Sequence, residues 1–181
     1  MDDSGAEPRE RHLVLIGLMG AGKTTVGERC AELLGRGFLD TDQLVEANTR
    51  MGVAEIFDAH GEQQFRVLEH DAVADAGASP DPLVIACGGG AVLDPDNRRI
   101  LRSTGVVVWL RASPAVLGDR VGDGTRPLLA GAAPPVVTLE RLAEVRAPAY
   151  EAAAHLSVDT EGHTVDEVAA RVVEEFQSWN G

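Results

Sequence analysis

Of the 16 lysines and arginines in this 181-residue chain, a single one is a lysine. It is Lys23, in Gly17-Leu18-Met19-Gly20-Ala21-Gly22-Lys23-Thr24, a complete G-x-x-x-x-G-K-[ST] pattern. The residue types spell out a chemistry. Glycines let consecutive backbone N–H groups turn inward on phosphate oxygens with no Cβ in the way. A helix that starts where such a loop ends adds partial positive charge. Lys23 would carry a mobile ammonium to the β- and γ-phosphates, and Thr24 would offer its hydroxyl to Mg2+. Arginine at that position would be bulkier and planar, which accounts for the exceptional lysine. The pattern implies a nucleoside triphosphate bound along Gly20, Ala21, Gly22, Lys23, Thr24 and Thr25.

Further residues narrow the class. A guanine-selective switch uses an Asn-Lys-x-Asp motif, and no second lysine exists to supply it. A motor or transport ATPase ends a long apolar strand in an acid. Here the apolar runs end in Ala86-Cys87-Gly88 and Leu110-Arg111-Ala112, and the nearest acids are Asp40 and Asp42. That displacement suits a small-molecule kinase. Asp40 and Asp42 occupy alternate positions, which in extended backbone point the same way. Gly88-Gly89-Gly90 follows a buried apolar run, at the strand end where open α/β sheets bind ligands.

These groups need elements to hold them. His12 to Ile16 reads as a strand buried on both faces. Val26, Cys30, Leu33 and Leu34 recur at helical spacing, with Gly35 as the stop. Further strands are read at Gly37–Leu39, Leu83–Ala86, Val106–Leu110 and His155–Val158. Helical patterns cover Leu44–Arg50, Val53–Ala59, Gln63–Ala76, Ser113–Val121, Thr138–Ala152 and a last segment with Val165, Val168, Val172 and Phe176 on one face. Strands alternating with helices imply an α/β protein with a parallel sheet covered on both faces. Residues 1–11 are read as a disordered tail, and 122–136, rich in Gly, Pro and Ala, as a lid.

Composition bounds the alternatives. A net charge of −13 argues against a generic nucleic-acid binder, and apolar runs of about five residues are far short of the ~20 that span a bilayer. No basic, apolar leader opens the chain, so a cytoplasmic protein is expected. Cys30 and Cys87 read as buried thiols in a reducing compartment. The five histidines lack ligand spacing and read as structural or solvated; Glu69 and Asp71, near Arg66, read as a solvated acidic helix face in preference to groups that orient the arginine. Phe57, Phe65 and Tyr150 read as core or pocket wall.

Beyond the phosphate loop the chain shows Leu39-Asp40-Thr41-Asp42, Gly61-Glu62-Gln63-Gln64-Phe65-Arg66, Gly88-Gly89-Gly90-Ala91-Val92, Arg126-Pro127-Leu128-Leu129 and Arg146-Ala147-Pro148-Ala149-Tyr150. In this order, over roughly residues 12–175, the set resembles shikimate kinase. The resemblance implies a nucleoside-monophosphate-kinase-like fold: a P-loop three-layer sandwich, with a five-stranded parallel sheet, helices on both faces and a mobile lid. A single domain over 12–181 would hold a substrate-binding region at about 41–76. The implied activity is transfer of the ATP γ-phosphate to the 3-hydroxyl of shikimate, on the route to chorismate, with Mg2+ as cofactor.

Residue roles follow from the same resemblance. Arg66 and Arg146 would hold the substrate carboxylate by bidentate hydrogen bonds, with Gly88, Gly89 and Gly90 beside the ring. Asp42 would orient or deprotonate the acceptor hydroxyl, and Asp40 would stand near the metal behind Thr24. Arg126 would reach the transferring phosphoryl group from the lid, and Arg120 would stack on adenine. A monomer is expected, with shikimate and ATP as its partners and neither nucleic acid nor membrane. The alternatives are another small-molecule kinase, such as a gluconate kinase, and a nucleotide-binding module without turnover. The sequence departs from the family at Val121–Thr125, a slightly short lid, and at Asp159–His163, which lacks a basic residue many relatives place near adenine.

Overall fold

The apolar run before the phosphate-loop motif, His12–Ile16, forms strand β1 and is buried at all five positions. A strand buried on both faces needs neighbours on both edges as well as above and below. In the computed structural model, which describes residues 10–121 and 134–180, β1 is the middle strand of five. The others are β2 (Gly37–Asp40), β3 (Leu83–Ala86), β4 (Gly105–Arg111) and β5 (Leu156–Asp159). Their order is β2-β3-β1-β4-β5, and every pairing is parallel.

The register fixes what meets what. Leu15 pairs with Ala86, and Ala86 with Asp40, so the carboxyl ends of β1, β3 and β2 stand level. Cys87 N donates to Leu15 O at 3.0 Å, carrying the ladder one residue past β3. Whatever follows Ile16, Asp40 and Ala86 therefore emerges on one edge.

Helices cover both faces. α1 (Lys23–Leu34) packs with α7 (Val165–Ser178), while α4 (Pro95–Thr104) lies against β4, α3 (Val53–Gly77) and α6 (Pro135–Ala153). α1 stops at Gly35, whose φ of 64° is left-handed, as the sequence suggested. α2 (Thr41–Thr49) packs on α3 around a small cluster of Val45, Ile56, Phe65 and Ala72, separate from the main core. Within α3, Gly61 (φ 80°, ψ 170°) interrupts the helix where the sequence separated two helical patterns.

Three readings need correction. α4 was not anticipated: its buried residues are only Asn97 and Leu101, too few for an apolar period, and its signal is the Asp94-Pro95 start. The helix read from Thr138 begins at Pro135, with proline in the first turn. Arg11, read as part of a loose tail, is buried and donates from Nη2 to Arg102 O and Ser103 O. Most of the expected lid, residues 122–133, and residues 1–9 lie outside the described residues.

Two histidines act as backbone acceptors at the start of strands. His12 Nδ1 accepts from Leu83 N at 3.0 Å, and His155 Nδ1 accepts from Val107 N at 2.9 Å. Only an unprotonated Nδ1 can do this. Burial holds the His12 pKa below its ordinary 6.5; a hydrogen bond to the Gly77 backbone opposes this, and the charge of Arg36 adds to it. Because the folded pKa is the lower one, the contribution of His12 is fully present above pH 6.5 and is lost as pH falls towards the folded value. Urea midpoints measured across that window should fall with pH in the unsubstituted chain and fall less in His12→Gln; equal slopes would contradict the assignment.

Candidate active site

Between β1 and α1 the chain turns through Gly20 (φ 83°) and Gly22 (φ 87°), left-handed conformations that glycine adopts without strain. Gly22 caps α1 without a side chain, and the first turn holds no acid. By contrast α2, α4 and α7 start under the side chains of Asp40, Asp94 and Thr164. The start of α1 is thus shaped for an anion brought from outside. Lys23 Nζ donates to Gly17 O at 2.9 Å and Leu18 O at 3.0 Å, which keeps the ammonium over the loop.

Thr24 reaches across to β2. Its Oγ1 donates to Asp40 Oδ2 at 2.8 Å, while Asp40 Oδ1 accepts from Asp42 N and Gln43 N at the start of α2. This corrects the extended reading of Asp40-Thr41-Asp42. The strand ends at Asp40 because its carboxylate caps the helix, so Asp42 belongs to the first helical turn. A hydroxyl and a carboxylate side by side are hard oxygen donors of the kind Mg2+ takes. Among the described residues no three His, Cys, Asp or Glu side chains group as a metal site. A bound Mg2+ would complete its sphere with phosphates and water.

The opposite wall is built around Gly88–Gly90. Thr41, fully buried, accepts from Gly88 N through its Oγ1 at 3.0 Å. Gly89 O accepts from Arg146 Nη1 at 3.0 Å and from Tyr150 Oη at 2.6 Å. Burial pushes the Tyr150 phenol up to about 12, so it remains a donor at neutral pH. Arg66 is held by two carboxylates of α3: Nη1 donates to Glu69 Oε2 at 2.6 Å and Nη2 to Glu62 Oε1 at 2.9 Å. Glu69, read from sequence as solvated, is 2% exposed; Asp71 is exposed as expected. Burial moves the Glu69 carboxyl above its ordinary range; Arg66 opposes the shift, Asp42 adds to it and Arg146 opposes it.

One cleft of about 720 Å3 joins these walls, lined among others by Lys23, Thr24, Asp40, Asp42, Arg66 and Arg146. Gly20, Gly22, Thr25, Gly89, Gly90 and Arg120 also line it. Ala21 is buried in the loop, and Gly88 lies behind the wall, packed on Asp42 and Glu69. Arg120 is fixed beside Gly20 of the loop by Thr160, which accepts from Nη1 through Oγ1 at 2.9 Å and from Nη2 through its carbonyl at 2.8 Å. Arg126 falls outside the described residues. The cleft therefore sets a phosphate loop against an arginine-rich, glycine-lined pocket.

The sequence model of shikimate kinase matches residues 19–177. The chain belongs to the shikimate kinase family. A shikimate kinase of Symbiobacterium thermophilum is 50% identical over 169 residues, covering 92% of this chain and 96% of that protein. The solved structure of shikimate kinase from Acinetobacter baumannii in complex with shikimate superposes with a TM-score of 0.89 at 36% identity, over 93% of each chain. A gluconokinase structure from Sinorhizobium meliloti 1021 reaches a TM-score of 0.60 at 23% identity, over 93% of this chain and 92% of that one, and shares the fold.

Within this shikimate kinase fold, the sequence reading assigned no role to Thr41 or Thr160 and misjudged the burial of Glu69. Each is a polar residue almost fully buried beside a site residue. For Thr41 a signal existed, a small hydroxyl between two acids at a strand end. The glycines also differ in what they tolerate. A Cβ on Gly88 would stand 2.5 Å from Asp42 Oδ1 and 2.7 Å from Glu69 Oε1, whereas on Gly89 the nearest atoms are 3.6 Å away. Gly88→Ala should therefore destabilise by roughly 1–3 kcal/mol, and Gly89→Ala by much less. Calorimetric melting of the two variants checks the order, and equal losses would refute it.

Proposed function

We propose that this chain transfers the γ-phosphoryl group of ATP to the 3-hydroxyl of shikimate, on the route to chorismate and the aromatic amino acids. The observation that carries the reading is that Arg66 and Arg146, with the glycine wall, line the same cleft as Lys23 and Thr24. An acid with ring hydroxyls needs cations at one end and an acceptor for a proton at the other. Membership of the shikimate kinase family supports the choice of acid.

The residues divide the work. Backbone N–H groups of Gly20–Thr25 and the start of α1 bind the phosphates, and Lys23 moves from loop carbonyls to phosphate oxygens. Thr24 and Asp40 hold Mg2+, which supplies charge neutralisation on the phosphates when bound. Arg66 and Arg146 bind the carboxylate, the α2–α3 region forms the acceptor side, and Asp42 takes the proton of the 3-hydroxyl. The hydroxyl oxygen forms its bond to the γ-phosphorus as the bridging oxygen leaves with ADP, giving shikimate 3-phosphate and one proton. Arg120 contacts the adenine side. Arg126, beyond the described residues, is assigned from sequence to the transferring phosphoryl group. We read the protein as a cytoplasmic monomer. Among the described residues no helix is long and apolar enough to cross a membrane.

The deciding experiment is ADP release from MgATP with shikimate, with gluconate or with no acceptor. Release only with shikimate, and a product heavier by one phosphate, is expected. Release with gluconate alone would replace shikimate as the acceptor while leaving arginines at a carboxylate, and no release would favour a binding module. In the active enzyme, Asp42→Asn should lower kcat by about 10²-fold; an unchanged kcat would leave Asp42 a binding residue. Steady-state kinetics of Arg146→Ala should show the KM for shikimate rising by about tenfold or more, with the KM for ATP nearly constant. The reverse pattern would remove Arg146 from the carboxylate site.

A further inference from the structure

The glycine wall of the cleft has no Cβ atoms with which to pack, so its neighbours must impose its shape. Thr41 and the Arg146–Tyr150 pair hold Gly88 and Gly89 from two sides. The third side is a 3-10 turn, Ala91–Leu93, whose carbonyls are bound by successive residues of α4. Asn97 Nδ2 donates to Ala91 O at 2.9 Å, and Arg98 Nη1 donates to Val92 O at 2.7 Å and Leu93 O at 3.1 Å. Asn97 is 1% exposed, so both ends of its amide must be matched inside the protein. With its N–H2 on Ala91, its Oδ1 faces His70 Nδ1 at 2.7 Å, and that imidazole nitrogen is therefore the donor. His70 also lies 3.8 Å from Asp94, the cap of α4. On α3 it follows Glu69 directly and stands one turn beyond Arg66.

We propose that His70 and Asn97 form a positioning pair that sets the distance between Arg66 and Glu69 on α3 and the glycine wall, and so sets the affinity for shikimate. The inference rests on the functional reading above. Neither residue is among those lining the cleft. A shift of α3 relative to the turn breaks one of two directional hydrogen bonds, whereas apolar packing at the same place would slide. The pair thus acts through Arg66 and the backbone of Gly89 and Gly90 rather than by contact with substrate.

The test is a comparison of the two substrates. The His70 side chain is 37% exposed, so in His70→Ala water can reach the Asn97 Oδ1 left behind, and the variant should fold and melt only modestly lower than the unsubstituted chain. Its KM for shikimate should rise about fivefold, the loss of about one hydrogen bond, with the KM for ATP unmoved. Titration calorimetry with shikimate alone should show the same fall in affinity. His70→Gln, which retains an N–H donor, should recover most of it. Asn97→Asp keeps the acceptor but loses the donor to Ala91 and should act in the same direction, with the double variant His70→Ala/Asn97→Asp no worse than Asn97→Asp. An unchanged shikimate KM in His70→Ala overturns the pair, as does an equal rise for both substrates with lowered melting. Failure of the unsubstituted chain to bind or turn over shikimate overturns the functional reading itself, and the pair with it.

Discussion

Parallel pairing of β1 with β3 and of β3 with β2 is the constraint on which the rest of the structure depends. It places Leu15, Ala86 and Asp40 in one row, so three unrelated loops start from the same edge. The first bends into the phosphate loop, the second becomes the glycine wall, and the third turns at once into α2. Parallel strands require crossovers, and the helices making them carry Arg66 on α3 and Arg146 on α6 back to that edge. A slip of one residue between β3 and β1 would exchange the faces that Val84 and Ile85 present to the two helix layers and separate Gly88 from Thr41. Stability and site geometry are therefore secured by the same ladder.

Electrostatics supplies the second constraint. A chain with net charge −13 must build its anion pocket against its own average. It does so by giving each important cation a fixed partner. Arg66 is clamped by Glu69 and Glu62, Arg146 lies on Gly89 O, Arg120 lies on Thr160, and Lys23 rests on loop carbonyls. These partners hold direction more than they add stability, since buried ion pairs recover little of their desolvation cost. For Arg66, the buried carboxylate of Glu69 fixes one nitrogen and orients the fork.

How far the sequence carried the reading can be seen residue by residue. β1 and β3 were legible to the residue because an apolar run bounded by glycine or a polar turn leaves few choices. Gly35 marked a helix stop, and the gap read between Ala59 and Gln63 is where Gly61 breaks α3. Asp42 was misplaced because a carboxylate at a strand end reads equally as one more extended position or as a helix cap, and the cap wins once Asp40 meets two N–H groups. Glu69 looked like part of a solvated acidic face with Asp71; burial is decided by what packs over a helix, which spacing alone does not encode. α4 faces the interior through Asn97 and Leu101, so polarity hid it. The convergence of Arg66 and Arg146 on one glycine segment is tertiary, and only the ordered motif set hinted at it.

The separate cluster of Val45, Ile56, Phe65 and Ala72 has a consequence for cooperativity. A small apolar nucleus packed outside the main core can open locally while the larger one stays folded. The smaller, held by α2 and the first part of α3, has the lower free energy of local opening, while the phosphate loop is tied to the larger through β1 and α1. Hydrogen exchange in the two regions is then expected to uncouple over part of the range, because opening the smaller nucleus leaves the larger one intact.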